Sequence, residues 1–239
     1  MVIGQDRPGS LNERPPYDDR VAREETLTGP DPVEGGWRAV PALDLPPILA
    51  AALDAFREHG YHGTSVRDIA RRVGVTVPAL YYHYANKEAL LLALLDRITH
   101  DFLQRALAAD AEAGDDPRRR LTYVVESIVI GRTRQLGLAT LESEIRYLTA
   151  ENRARQTATR DQVEGVLHEI VAAGVASGDF DVVDEAEIVR AILGLCHSVL
   201  AWFRPEGELG PEEVAERYSR IALQMVTGAS TTHVGRPPA

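Results

Sequence analysis

Apolar positions recur with a helical period along most of this chain, no stretch needs a strand, and the breaks between periodic runs fall at Gly, Pro, Asn and Asp. Residues 1–45 are the exception. Six prolines (Pro8, Pro15, Pro16, Pro30, Pro32, Pro41) and five glycines interrupt them, and five arginines face nine carboxylates, which predicts a disordered acidic arm. Pro46 and Pro47 then open a helix with the stripe Leu49, Ala52, Leu53 and Phe56, ending before Gly60. A second helix buries Val66, Ile69, Ala70 and Val73 and turns Arg67, Arg71 and Arg72 outward, with Ser65 as its cap and Asp68 three residues on. Gly74 allows a left-handed turn, and Thr76 caps a third helix in which Leu80 is core. Val77, Pro78, Ala79, Tyr81, Tyr82 and His83 are left for its outer part, while Tyr84 is expected in the core.

Asn86 caps a fourth helix, from Lys87 to about Ala109, with Leu90, Leu91, Leu94, Leu95, Ile98 and Phe102 on its apolar side. Beyond the break at Gly114-Asp115-Asp116-Pro117, helices are predicted at 117–135, 138–149, 151–177, 184–204 and 211–227. The fold is therefore all-α, with about nine helices. Its expected parts are the arm (1–45), a three-helix helix-turn-helix domain (46–90), a helical ligand-binding and dimerisation domain (91–228) and a disordered tail (229–239).

Composition narrows the function. With 239 residues, 44% of them hydrophobic, the chain can form one or two packed domains. The longest apolar run, 191–203, is interrupted by His197 and too short for a membrane; the start lacks a secretory pattern, so a cytoplasmic location and no membrane partner are expected. Cys196, the single cysteine, excludes internal disulfides and a cysteine metal cage. His168 and His197 have no companions at metal-ligand spacing, so no metal or cofactor is expected. There is no phosphate loop, no G-x-S-x-G elbow and no H-E-x-x-H pair, which argues against an enzyme and yields no catalytic residue. The net charge of -10 disfavours indiscriminate coating of nucleic acid, yet residues 46–100 hold six basic against five acidic groups, so the field there does not repel DNA. Lys87 is the sole lysine beside 25 arginines.

Two short helices about a glycine turn, followed by an aromatic cluster, make a DNA-reading layout. Gly60-Tyr61, Thr64-Ser65, Ile69-Ala70, Gly74-Val75, Leu80-Tyr81, His83-Tyr84 and Lys87 together resemble the motif of the TetR family of transcriptional repressors. The resemblance implies that Arg67, Thr76, Val77, Pro78, Ala79, Tyr82 and His83 face the major groove of a double-stranded operator. It also implies that Ser65, Tyr81 and Lys87 hold phosphates. Because Val77, Pro78 and Ala79 can touch only thymine methyls, DNA shape is expected to carry part of the recognition.

For the C-terminal domain the resemblance implies a homodimer on a palindromic site. Ile192, Leu195, Val199 and Trp202, with Tyr218 and Ile221, are expected at a two-fold four-helix interface. The segment Trp202-Phe203-Arg204-Pro205-Glu206-Gly207, with Gly174, Gly178-Asp179-Phe180 and Pro211-Glu212-Glu213, is similar to a subgroup that responds to acyl-coenzyme A thioesters. On that footing Tyr123, Ser127, Leu138, Glu142 and Ile145 would line a tunnel for a small-molecule effector. Arg132, Arg134, Arg146, Arg153, Arg155 and Arg160 would meet its phosphates or, alternatively, pair with surface carboxylates. A helical ligand-binding or protein-interaction dimer without specific DNA binding is the competing reading.

Overall fold

A computed structural model describes residues 35–40 and 44–228; the expected arm through residue 34 and the tail from 229 lie outside the described residues. Among the described residues the secondary structure is entirely helical. The order is α1 (Pro47–Gly63), α2 (Val66–Val73), α3 (Val77–His83), α4 (Lys87–Ala113), α5 (Pro117–Arg134), α6 (Leu136–Glu142), a 3-10 turn (Ser143–Tyr147), α7 (Ala150–Ser177), α8 (Glu185–Trp202) and α9 (Pro211–Thr227). Polar caps start these helices where the sequence places them. Ser65, Thr76, Asn86, Asp116, Thr149 and Asp184 each accept a hydrogen bond from an amide in the first turn that has no helical partner. The segment predicted as one helix over 138–149 is instead α6 followed by the 3-10 turn.

The turn between α2 and α3 depends on Gly74, at φ 79° and ψ 25°, where a side chain would be strained; its amide and that of Val75 both return to the Ala70 carbonyl.

Buried side chains form two cores. The first joins Leu49, Ala52 and Phe56 of α1 to Ile69, Leu80 and the first half of α4, from Leu90 to Ile98, and it also takes Leu141 and Leu148 from the α6 segment. The second joins Leu103, Ala106 and Ala109 of α4 to α5, α7, α8 and α9. Within it α5 is the axial helix, with Leu121, Val124, Val125 and Val129 fully buried. Each large apolar side chain withdrawn from water in this way contributes about 1.5–3 kcal/mol before conformational entropy is counted.

The expectation of a disordered arm reaching residue 45 needs correction at its end. Trp37 is 1% exposed and belongs to the second core. Its indole N–H donates to Glu112 (2.9 Å) and its ring lies 5.4 Å from that of Tyr123. One large ring with a satisfied N–H is enough to anchor a segment that has no periodicity of its own.

Gly174 sits where α7 meets the returning chain: a Cβ there would lie 2.1 Å from the ring of Phe180, itself buried. Gly174→Ala is expected to destabilise the fold by about 1–3 kcal/mol, despite alanine's better helix propensity. In a Phe180→Ala background the same change is expected to be neutral or stabilising; urea unfolding of the four proteins of this cycle measures both effects.

Candidate nucleic-acid interface and ligand cavity

The face of α2 and α3 turned away from the first core carries most of the residues expected at DNA. Ser65, Arg67, Thr76, Pro78, Ala79 and His83 are exposed, and Tyr81 and Tyr82 are 48% and 52% exposed, unusual for large rings in a small helical domain. The Tyr82 and His83 rings meet edge-on, 5.3 Å apart. Leu80 is fully buried between them and the core, and Tyr84 is half-buried against it, as the period predicts. Val77 departs from expectation: it leans partly onto the first core, so only part of it faces out.

Two expected phosphate holders already have protein partners. Ser65 accepts from the Asp68 amide (3.2 Å) and donates to the Asp68 carboxylate (2.6 Å), which lowers the carboxyl pKa. Lys87 does not point outward. Its Nζ donates to the carbonyls of Tyr61 (2.7 Å) and Thr64 (2.8 Å) and lies 4.4 Å from the Tyr61 ring centre. The reason is position: Lys87 opens α4 beside the end of α1, where carbonyls lack helical partners, so the ammonium caps them. Burial holds its pKa below the usual lysine value.

The same corner ties the reading head to the rest of the chain. Tyr147, on the 3-10 turn, stacks on Tyr61 (5.7 Å, 11° between planes) and meets His62 edge-on at 4.1 Å. Glu88 accepts from the Thr149 amide (2.7 Å) and from Asn152 Nδ2 (2.8 Å). These contacts were illegible in the sequence because they join residues far apart along the chain, 61 and 64 positions for the Glu88 pairs and more for the rings. Only the isolation of Lys87 as the sole lysine hinted at a constrained site.

A cavity of about 640 Å³ lies in the C-terminal half. Leu95, Ile98 and Phe102 of α4, Ile128 of α5 and Leu193 of α8 supply apolar wall; Arg132, Glu142, Gln156, Arg160 and His197 supply polar groups. Of the residues expected to line it, Glu142 and Ile145 do. Leu138 borders only a small annex. Tyr123 instead packs against Trp37, and Ser127 is buried with its hydroxyl donating to the Val124 carbonyl; both are corrections, because α5 turns Ile128 and Arg132 toward the cavity and these two away. Arg146 is exposed, its guanidinium 4.8 Å from the Tyr147 ring centre, and lies outside the cavity.

The other candidate arginines divide. Arg134 pairs with Glu212 and Arg155 with Asp96, while Arg153 donates to the carbonyls of Arg146 and Leu148. Arg132 reaches Glu142 (3.3 Å) and Arg160 lines the cavity, so two of the six are placed to meet a ligand there. His197, on the same wall, has its pKa lowered by burial and then by Arg132. Burial pushes the Cys196 thiol up to about 12, so it is not a nucleophile near neutral pH.

On α8 the expected dimer face is one register off. Ile192 and Val199 are fully buried in the second core, on the inward stripe Val189, Ile192, Cys196, Val199 and Phe203. Tyr218 is buried as well, its hydroxyl accepting from Trp202 Nε1 (2.8 Å) and lying 3.1 Å from Ser198 Oγ. The residues left outside are Trp202 (43% exposed) and Ile221 (42%), with Leu195 half-buried. Apolar content alone does not separate the stripe that fills a protomer from the one beside it.

Among the described residues no helix is long and apolar enough to cross a membrane, and no group of three His, Cys, Asp or Glu is placed to hold a metal ion.

Comparison with known proteins matches residues 48–94 to the bacterial regulatory proteins of the tetR family and residues 114–226 to the tetracyclin repressor-like C-terminal domain. The chain is 29% identical over 189 residues to the HTH-type transcriptional repressor KstR2 of Rhodococcus jostii, covering 74% of this chain and 87% of that protein. It superposes on a bacterial regulatory protein in the tetR family from Rhodococcus RHA1 with a TM-score of 0.70 at 32% identity, covering 77% of this chain and 96% of that one. A further similar structure is AibR in complex with isovaleryl coenzyme A and operator DNA (TM-score 0.65, 27% identity, 73% of this chain and 95% of that one).

Hydrogen bonds from Asn152 and then Thr149 hold the Glu88 carboxyl below its usual pKa. A carboxylate with a lowered folded pKa stabilises the fold above its unfolded pKa, and that contribution disappears as the pH falls through the folded value. Glu88→Gln is therefore expected to cost about 1 kcal/mol at pH 7, and the cost is expected to shrink as the pH is lowered into the acid range, measured as the difference between the two proteins' urea midpoints at each pH.

Proposed function

We propose, for a chain that belongs to the TetR family of bacterial regulatory proteins, that it represses transcription by binding a palindromic operator as a homodimer and is released by an acyl-coenzyme A thioester. The observation that carries the DNA-binding part is the outward face of α2 and α3. Arg67, Pro78, Ala79, Tyr81, Tyr82 and His83 lie together in water, while the opposite face of the same two helices closes the first core. Arg67 has the fork geometry for a guanine edge or a phosphate, Pro78 and Ala79 fit thymine methyls, and the tyrosine hydroxyls reach phosphate oxygens. Ser65 and Lys87 join them only by giving up present partners, so their part is chiefly to hold the helix ends that present the others.

The dimer is proposed to form through the outer faces of α8 and α9, with Trp202, Ile221 and Leu195 at its centre; such an arrangement sets two α3 helices about one DNA turn apart. The thioester reading is supported by the apolar walls of the cavity, by Arg132 and Arg160 on its lining, and by AibR, which binds isovaleryl coenzyme A. The acyl part would lie against Ile98, Phe102 and Leu193, leaving the phosphate-bearing part toward Arg160. A ligand there acts by binding better to one arrangement of α4 than to another. Leu95, Ile98 and Phe102 of α4 touch the cavity, and Lys87 and Glu88 of the same helix touch the reading head's supports.

Fluorescence anisotropy on duplexes from the intergenic DNA flanking the gene tests the reading. The full chain is expected to bind with a salt-dependent affinity that unrelated DNA does not match. Arg67→Ala is expected to weaken binding by about 1–3 kcal/mol and to lower the salt slope by roughly one. Isovaleryl coenzyme A and longer acyl thioesters, added at saturation, are expected to weaken operator binding about tenfold or more; unchanged affinity with all of them rejects that effector class. Ile221→Glu is expected to shift the sedimentation coefficient from dimer to monomer.

A further inference from the structure

We infer that the annex beside the cavity is a site for one hydroxyl oxygen, supplied by water or by a hydroxyl group of the ligand. The annex is a void of about 10 Å³, roughly the room that a single water needs. Ile98, Phe102, Arg132 and Glu142 line both it and the main cavity, so these four side chains stand between the two spaces. Gln135, Leu138 and Leu200 complete its wall.

Two buried polar atoms of that wall, Arg132 Nε and Gln135 Oε1, have no hydrogen-bond partner among the described residues. Their orientations are fixed from behind. Gln135 Nε2 donates to Asp101 (3.3 Å), whose carboxylate is gripped by Arg105 through Nε (2.9 Å) and Nη2 (3.1 Å). A carboxylate only accepts, so the amide nitrogen faces Asp101 and the amide oxygen is the end left for the annex. Arg132 turns its Nη1 to Glu142 (3.3 Å) and sets its guanidinium 5.5 Å from the centre of the Phe102 ring, which leaves Nε. Gln135 follows Arg132 by three positions at the end of α5, so the two side chains leave the helix on one face and a small group can meet both.

One of these atoms is a donor and the other an acceptor. A hydroxyl or water oxygen accepts from the one and donates to the other, whereas a carbonyl or thioether cannot donate and a methyl group does neither. A buried donor or acceptor left unmet is costly, so the pair selects for such an oxygen. The main cavity repeats the device. Gln156, only 1% exposed, donates its Nε2 to Asp96, which Arg155 holds (2.7 Å), and its Oε1 has no partner among the described residues. Both amides of the cavity system thus have an oxygen to offer, and an acyl part that carries a hydroxyl is favoured over a plain alkyl one. This ligand half rests on the cavity being the effector site; the oxygen site itself does not.

A crystal structure of the full chain without added ligand, at a resolution that shows ordered water, tests the oxygen site. An oxygen is expected in the annex about 2.7–3.2 Å from both Arg132 Nε and Gln135 Oε1. An annex without one, or an oxygen bonded to neither atom, overturns the site whatever the effector proves to be. Calorimetry tests the source of the oxygen, comparing isovaleryl coenzyme A with its β-hydroxy derivative and butyryl coenzyme A with its β- and γ-hydroxy derivatives. At least one hydroxylated thioester is expected to bind about tenfold or more tightly than its parent, and Gln135→Met or Gln156→Met is expected to remove that advantage. The parent thioester's affinity, read on the same variants, separates this loss from general damage. No advantage in the wild type, or an advantage that both variants keep, overturns the ligand half and assigns the oxygen to water. Absence of binding by every thioester rejects the thioester reading, while the crystal still decides the oxygen site.

Discussion

One helix serves two cores, and the rest of the molecule is arranged around that fact. Leu90, Leu91, Leu94 and Leu95 close the reading head, and Leu103, Ala106 and Ala109 of the same helix fill the sensor. A continuous hydrogen-bonded helix resists bending except at identifiable breaks, and α4 has no proline or glycine between Lys87 and Ala113. Any tilt imposed at the cavity by way of Ile98 or Phe102 therefore reappears at its N-terminus. There Lys87 caps α1, and Glu88 holds the start of α7.

The side chains around α4 make that transfer specific. The stacked pair Tyr61 and Tyr147 links the end of α1 to the 3-10 turn that follows Glu142 and contains Ile145, and both of these line the cavity. Leu141 and Leu148 belong to the core of the reading head, and Ile145 and Tyr147 between them pack against it. The reading head is thus held by buried apolar contacts and by charge-assisted hydrogen bonds. Its outward face is left to Arg67, Tyr81, Tyr82 and His83.

Local signals in the sequence were decisive where the chemistry was local. Ser65, Thr76 and Asn86 cap the helices they were expected to cap, Gly74 takes the left-handed turn, and Leu80 is buried while Tyr81 and Tyr82, which follow it, are exposed. Helices α7, α8 and α9 begin and end within about two residues of their predicted bounds because Gly178 and the stretch from Pro205 to Pro211 are strong breaks. What could not be read was pairing at a distance. Trp37 had no periodic neighbours to announce its burial, and the carbonyls that take up Lys87 come from another helix. On α8, Ile192 and Trp202 look alike as apolar residues, yet one fills the protomer and the other faces out; the period gives a stripe's existence, and only packing gives its direction. The cavity was misjudged for the same reason, since Ser127 and Ile128 are adjacent on α5 and only the latter faces the cavity.

The central claim, a symmetric reader of a specific duplex, is tested most directly by sequencing the DNA that the full chain retains from a random duplex pool. An enriched inverted repeat with half-sites about one helical turn apart, lost with Arg67→Ala, is the predicted result. Retention of DNA with no enriched sequence, or a single unrepeated motif, would contradict the account.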